Sequence, residues 1–331
     1  MTATPTLNRR TLLAASAAGA ATLAATSHAQ PEGEPDLSGQ SIIITGCSSG
    51  FGRLGAEHYA RLGAKVFATM RNMPRPEAEE LRQLASDEGL DITVLEIDVM
   101  RDEQVEAGVR EALSATGGTI DALVNNAGIS YAGPIEMQDM EATRHMFETN
   151  VFGCHRMARA VLPAMRAQRS GQIFQVSSQL GRIIVPAYGQ YSPTKFALEA
   201  MSEQMAYEVA PHGIGVTIIE PGGYPTEIWQ NSARRTEALL ARTPEEMREA
   251  YSAQLDAVMA AGAAERPTDP LDVPRAIAEI LAMPAGTRPL RRPVHPTSVP
   301  QAAINDVSEA TQRGLLEGSG MSAIAARVFP S

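Results

Sequence analysis

The chain has 331 residues, 44% of them hydrophobic, and a formal net charge of −10. This is enough apolar material for one large core, and the negative balance argues against nucleic acid or an anionic membrane as a partner. Two cysteines cannot build a thiolate zinc site, and the six histidines show no metal-ligand spacing, so no metal is expected.

Residues 1–29 read as an export leader. Asn8-Arg9-Arg10-Thr11-Leu12-Leu13 is a twin-arginine pattern, an alanine-rich run follows, and Ser27-His28-Ala29 fits a small-residue cleavage site before Gln30. The stretch from Leu12 to Ala25 is too short and too alanine-rich for a stable membrane span. The expectation is a periplasmic protein with no membrane anchoring after cleavage, or a cytoplasmic one if the leader does not function. Removing the leader takes away Arg9 and Arg10 and no acid, leaving −12. Residues 30–37 read as a linker.

A single domain is expected over 38–290. Ser41-Ile42-Ile43-Ile44-Thr45 is a short apolar run that reads as a buried strand. It leads into Gly46-Cys47-Ser48-Ser49-Gly50-Phe51-Gly52 and a helix from Arg53 to Leu62. Strand, glycine-rich turn and helix together bring a pyrophosphate against helix amides. Gly46 permits the tight turn, Gly50 a close approach of the backbone, and Gly52 close helix packing. Further strands are expected at Lys65–Thr69, Ile92–Ile97, Ile120–Val124, Gln172–Ser177 and Gly215–Ile219, with helices between. Near Arg288–Val294 the prolines permit an edge strand at best. This alternation predicts an α/β fold, a doubly wound parallel sheet with helices on both faces.

The densest chemistry lies around residue 190. Tyr191 and Lys195 are four apart and Ser178 precedes the tyrosine by thirteen. At a spacing of four, the phenol and the ammonium share one helix face. A free tyrosine has a pKa of about 10, and a fixed ammonium beside it is expected to lower that value. Ser178 can bond the oxygen of a carbonyl or alcohol while Tyr191 gives or takes its proton. Tyr188 has serine rather than lysine four residues on, so Tyr191 is the better candidate. Pro193 is tolerated in a first helical turn, which puts the helix start near Gln190 or Tyr191. Asn150 sits inside an otherwise helical run, where asparagine is unfavourable without a special reason. Cys47 and Cys154 read as unpaired thiols packed as small apolar groups.

These marks, in this order, make the chain resemble the short-chain dehydrogenase/reductase family, in its single-domain branch. They are Thr45-Gly46-x-x-x-Gly50-x-Gly52, Asp98-Val99, Asn125-Asn126-Ala127-Gly128, Asn150, Ser178, Tyr191 with Lys195, and Pro221-Gly222-x-x-x-Thr226. Shorter strings, among them Ala68-Thr69-Met70-Arg71, are similar to 17β-hydroxysteroid and retinol dehydrogenases. The resemblance implies catalysis by Asn150, Ser178, Tyr191 and Lys195, with Asn150 holding a water near Lys195 that relays protons. It implies that the turn binds a dinucleotide through Gly46, Ser48, Ser49, Gly50, Phe51 and Gly52. Asp98 and Val99 would meet the adenine, and Asn126, Ala127 and Gly128 would adjoin the cofactor. Tyr191 and Lys195 would reach the nicotinamide ribose, and Pro221, Gly222 and Thr226 the carboxamide end.

Met70 stands where NAD-preferring relatives carry an acid, and Arg71 follows. A guanidinium binds a ribose 2′-phosphate that an acid would repel, so the expected cofactor is NADP(H). The implied activity is interconversion of a small-molecule alcohol with a ketone or aldehyde. A catalytically silent NADP(H)-binding sensor on the same fold is the alternative. Trp229, Met247, Tyr251 and Met259 are candidates to line an apolar pocket. The extension from 291 to 331 closes that pocket or supports a homo-oligomer, and its residues leave both readings open.

Overall fold

The computed structural model describes residues 33–330. The leader lies outside these residues. Strands β1 (Ser41–Thr45), β2 (Lys65–Met70), β3 (Ile92–Glu96), β4 (Ala122–Asn125), β5 (Gly171–Val176), β6 (Ile214–Pro221) and β7 (Arg291–Val294) form one sheet. Its order is β3-β2-β1-β4-β5-β6-β7, with every neighbouring pair parallel. This is the doubly wound Rossmann arrangement expected from the sequence. The strand order reverses between β1 and β4, and that switch point opens the crevice in which such sheets bind ligands.

Side chains of β1 alternate between two cores, as strand geometry requires. Ile42 and Ile44 join Val66, Ala68, Ala56 and Ile277 on one face, while Ile43 joins Phe67, Leu123, Met157 and Val161 on the other. Helices α1 (Gly50–Arg61) and α10 (Asp272–Ala282) cover the first face. Helices α3 (Asp102–Ala115), α5 (Gly153–Gln168) and α6 (Tyr191–Val209) cover the second. A strand buried on both faces has no polar side to display, which is why β1 reads as an uninterrupted apolar run.

The remaining helices are α2 (Pro76–Glu88), α4 (Met140–Phe147), α7 (Ile228–Leu240), α8 (Glu245–Ala250), α9 (Ser252–Ala263), α11 (Ala302–Gly318) and α12 (Ser322–Val328). Helix α2 starts on Pro76, whose missing N–H costs nothing at that position. Helix α6 starts at Tyr191, with Pro193 in its first turn as expected.

Two expected boundaries are corrected. Leu37 belongs to the fold rather than to a linker: it is buried, and its N–H donates to the Leu62 carbonyl at 2.8 Å. The edge strand expected near Arg288–Val294 is present as β7, and it carries the sheet past the expected domain end at residue 290. Strand β7 pairs with β6 at the edge, where Pro293 is tolerated. Beyond it, Val328 and Phe329 join the second core, with Phe329 edge-on to Tyr207 of α6 at 6.1 Å. The segment 291–331 is thus part of the domain, and not an appended extension.

Candidate active site

A cavity of about 1020 Å³ lies at the carboxyl ends of the central strands. The glycine turn after β1 forms its floor. Gly46 (φ +75°) and Gly50 (φ +57°) take left-handed conformations that favour glycine. Gly46, Ser48, Ser49, Gly50 and Phe51 face the cavity. Gly52 does not. A Cβ there would lie 2.3 Å from the Gly46 carbonyl oxygen and 2.5 Å from Asn126 Nδ2, so Gly52 serves helix packing, as its spacing predicts. Helix α1 begins at Gly50 with no side-chain cap from Ser49 and no acid in its first turn. Its leading amides therefore present positive potential to the cavity without an internal anion.

Asn126 ties β4 to this turn. Its N–H donates to Thr45 Oγ1 at 3.0 Å and its side-chain amide to the Thr45 carbonyl at 2.8 Å. The Ala127 N–H shares the Thr45 hydroxyl at 2.9 Å. Ala127 and Gly128 continue the wall. Towards the β2–β3 side stand Arg71, Asp98 and Val99. Asp98 accepts the Met100 N–H at 3.0 Å, and its own N–H is held by Gln104 Oε1 at 2.7 Å. At the opposite end, Pro221, Gly222 and Thr226 line the cavity after β6.

Ser178, Tyr191 and Lys195 meet on this wall. Ser178 follows β5 and caps a short 3₁₀ turn, accepting the Leu180 N–H at 3.1 Å. Lys195 is buried, and its Nζ donates to the Val176 carbonyl at 2.9 Å. Asn150 lies outside the cavity wall, fully buried in a π-helical turn, Glu148–Phe152, that runs into α5. Its Oδ1 accepts the Ile129 N–H at 2.8 Å, and its Nδ2 donates to the Ile129 carbonyl at 2.9 Å and to Thr194 Oγ1 at 3.0 Å. The Thr194 hydroxyl donates in turn to the Tyr191 carbonyl at 2.7 Å. The Asn150 side chain thus pins the first turn of α6 to the strand-end loop after Gly128. It acts as a clamp, with no side-chain donor left for the expected water.

The phenol departs from expectation in its electrostatics. Burial pushes the Tyr191 phenol up to about 12, opposed by its hydrogen bond with Ser178. Burial also pushes the Lys195 ammonium down, against the raising influence of Cys154 and Glu199. A spacing of four on one helix face does place the ammonium near the ring, 5.7 Å from its centroid. Desolvation is the largest influence on both groups. The expected lowering of the phenol by the Lys195 ammonium is therefore overturned. Cys47 and Cys154 are free and buried, as read from the sequence, and burial raises their thiols to about 12 and about 11.

Of the four pocket candidates, Trp229 and Met259 line the cavity, whereas Met247 and Tyr251 do not. The Tyr251 hydroxyl instead donates to Glu136. Trp229 is fixed by its indole N–H on the Tyr224 carbonyl at 2.7 Å and by the Arg266 guanidinium stacked 3.6 Å from its ring. Sequence reasoning missed Tyr188, Tyr224 and Arg235, which also line the cavity. Tyr188 carried a signal in its closeness to Tyr191. The other two occupy no pattern that a single sequence reveals.

The sequence profile of the short chain dehydrogenase family matches residues 40–237, and the chain belongs to that family of oxidoreductases. It is 44% identical over 195 residues to the uncharacterized oxidoreductase YusZ of Bacillus subtilis, covering 57% of this chain and 67% of that protein. It is 37% identical over 193 residues to human retinol dehydrogenase 8, covering 57% of this chain and 60% of that relative. Among solved structures, a short chain dehydrogenase/reductase from Burkholderia phymatum, in complex with NAD, is similar at a TM-score of 0.69 and 25% identity, over 85% of this chain and 96% of that one.

Proposed function

We propose that the protein is an NADP(H)-dependent oxidoreductase that interconverts an alcohol with a ketone or aldehyde, using Tyr191 as general acid and base. One observation carries this reading. Ser178, Tyr191 and Lys195 line the same cavity as the glycine turn and the open start of α1. The cavity fits a dinucleotide. Its floor has backbone in place of side chains at Gly46 and Gly50, the first turn of α1 carries no acidic side chain, and Arg71 offers a guanidinium that has no acidic partner among the described residues.

Such a cofactor supplies or accepts a hydride when bound. Ser48, Ser49 and the first amides of α1 would hold its phosphates, Arg71 a 2′-phosphate, and Thr226 its carboxamide end. Lys195 can exchange its bond to Val176 for ribose hydroxyls. Ser178 and Tyr191 present two hydroxyls to one substrate oxygen. In reduction the phenol donates its proton there while Ser178 stabilises the developing charge. In oxidation the same phenol, once ionised, takes the proton back. Trp229, Met259, Tyr188 and Val185 give the substrate end an apolar lining, which favours a hydrophobic alcohol or carbonyl compound. The name of the related retinol dehydrogenase agrees with such a substrate.

The test is nicotinamide absorbance with a panel of alcohols and carbonyl compounds, comparing NADP(H) with NAD(H). No turnover of any member by a protein that binds the dinucleotide would remove the catalytic reading. On the leader residues alone, we extend the proposal to twin-arginine export of the folded protein, with cofactor already seated. Fractionating cells and sequencing the mature N-terminus tests the export, and assay of bound nucleotide tests the loading.

A further inference from the structure

Four arginines reach the cavity: Arg71, Arg75, Arg235 and Arg266. Two are spent internally. Arg75 pairs with Glu77 at 2.8 Å, and Arg266 stacks on Trp229 and donates to the carbonyls of Ala261, Gly262 and Ala264. Arg71 and Arg235 are half-buried. Among the described residues neither guanidinium has an acidic partner within ion-pair distance. Asp98, the buried acid on this wall, accepts the Met100 N–H through Oδ1 and makes no ion pair with either arginine.

Helix α7 delivers Arg235 to a defined place. Residues 228–233 and Arg235, the first two turns of the helix, line the cavity. The next residue, Thr236, is fully buried and accepts the Ala132 N–H at 2.9 Å. Leu239 is buried against Ile129, Tyr131 and Met146. Helix α7 is thus docked on the loop after β4, and Arg235 faces the cavity from that dock. Burial first, and then the charge of Arg71, disfavours the charged form of Arg235. Two guanidiniums without an acidic partner among the described residues thus line one cavity, and an anion between them would offset the cost of burying their charges.

We propose that Arg71 and Arg235 are the two jaws of one oxyanion site, which takes the 2′-phosphate of the cofactor, so that helix α7 closes on the nucleotide it discriminates. This rests on the NADP(H) reading and adds a second specificity residue to it. A phosphate monoester carries nearly two negative charges at neutrality, and each guanidinium offers a planar fork of donors to its oxygens. Arg71 stands at the end of β2, on the far side of the switch point from Tyr191, where the ribose 2′ position falls in the sequence reading. A carboxylate on the substrate is the competing occupant, and the test separates the two.

Dissociation constants for NADPH and NADH are measured on the intact protein and on Arg71→Gln, Arg235→Gln and the double variant. Arg235→Gln should weaken NADPH by about tenfold to a hundredfold, the range for one charge-assisted hydrogen bond, and leave NADH nearly unchanged. The double variant should lose less than the product of the single losses, because both residues serve one group. Arg235→Lys keeps the charge and should recover part of the preference, and it replaces the glutamine variant should that one fail to fold. A full NADPH preference in Arg235→Gln, or equal weakening of both nucleotides, overturns the inference. A preference left intact while the KM for carboxylate-bearing substrates alone rises also overturns it, by giving the site to the substrate. An intact protein with no preference for NADPH would remove the cofactor reading itself, a result distinct from these.

Discussion

Lys195 donates its ammonium proton to the Val176 carbonyl at 2.9 Å, while its Nζ stays 5.7 Å from the centroid of the Tyr191 ring. The lysine is therefore held by the end of β5 rather than by the phenol, and the phenol remains protonated. This has a direct consequence for pH dependence. With the phenol pushed up to about 12 by burial, its acid form is the resident one throughout the neutral range. Carbonyl reduction, which consumes that proton, should be flat across neutrality and fall only in alkali. Alcohol oxidation, which needs the ionised form, should climb as pH rises. Initial rates in both directions across pH check this, and an oxidation rate that falls from neutrality upwards would contradict it.

A second prediction concerns Asn150. Its side chain satisfies both the N–H and the carbonyl of Ile129 and also the Thr194 hydroxyl. Asn150→Ala leaves the buried Ile129 N–H and carbonyl unpaired, at about 1–3 kcal/mol for each group, while the Thr194 hydroxyl keeps its bond to the Tyr191 carbonyl. The denaturant midpoint should drop, and turnover should fall through the displaced first turn of α6. Unchanged stability would show that water replaces the amide at no cost.

These cases mark how far the sequence could be read. The fold was legible because β1 lacks a polar face and because glycines punctuate its exit. The Tyr191–Lys195 pair was legible because a spacing of four fixes a shared helix face. Asn150 announced itself as an anomaly within a helix, but its role depends on Ile129 and Thr194, which only the tertiary fold brings near. The ionisation of Tyr191 was misjudged because a spacing reports proximity and says nothing of desolvation. Met247 and Tyr251 failed as pocket residues for a related reason: composition placed them on a covering segment without saying which face turns inward. The tail was read as an extension because nothing in its sequence signals that Val328 and Phe329 return to the core.

Arg291, at the start of the tail, gathers three carboxyl groups. Glu199, Glu203 and Glu220 all approach Arg291, at 3.0, 2.6 and 3.7 Å. Glu220 further accepts from Asn305 of α11 at 2.7 Å. Burial, with Glu199 next in effect, pushes the Glu220 carboxyl up to about 8 from its ordinary 4.5. Between those values the folded protein keeps a proton that the unfolded chain has released, so stability should fall as pH rises through this window and level off above it. Glu220→Gln stays neutral and should flatten that decline. Melting temperatures of both proteins across the window provide the check, and parallel curves would contradict the assignment.

Arg71 gives a fourth prediction. Arg71→Ala should cost about 1.5–3 kcal/mol of NADPH binding, the range for a hydrogen bond to a charged group, and little for NADH. Equal catalytic efficiency with both cofactors in the intact protein would refute the NADP(H) assignment.

The central claim is that one cavity binds the nucleotide and performs proton transfer through Tyr191. Tyr191→Phe removes the proton and preserves the ring, so the most direct test is to measure NADPH binding and carbonyl reduction side by side in this variant and the intact protein. Near-normal NADPH affinity is expected, with turnover lowered by about 10²–10⁴. A variant that keeps most of its turnover on a substrate the intact protein reduces would contradict it.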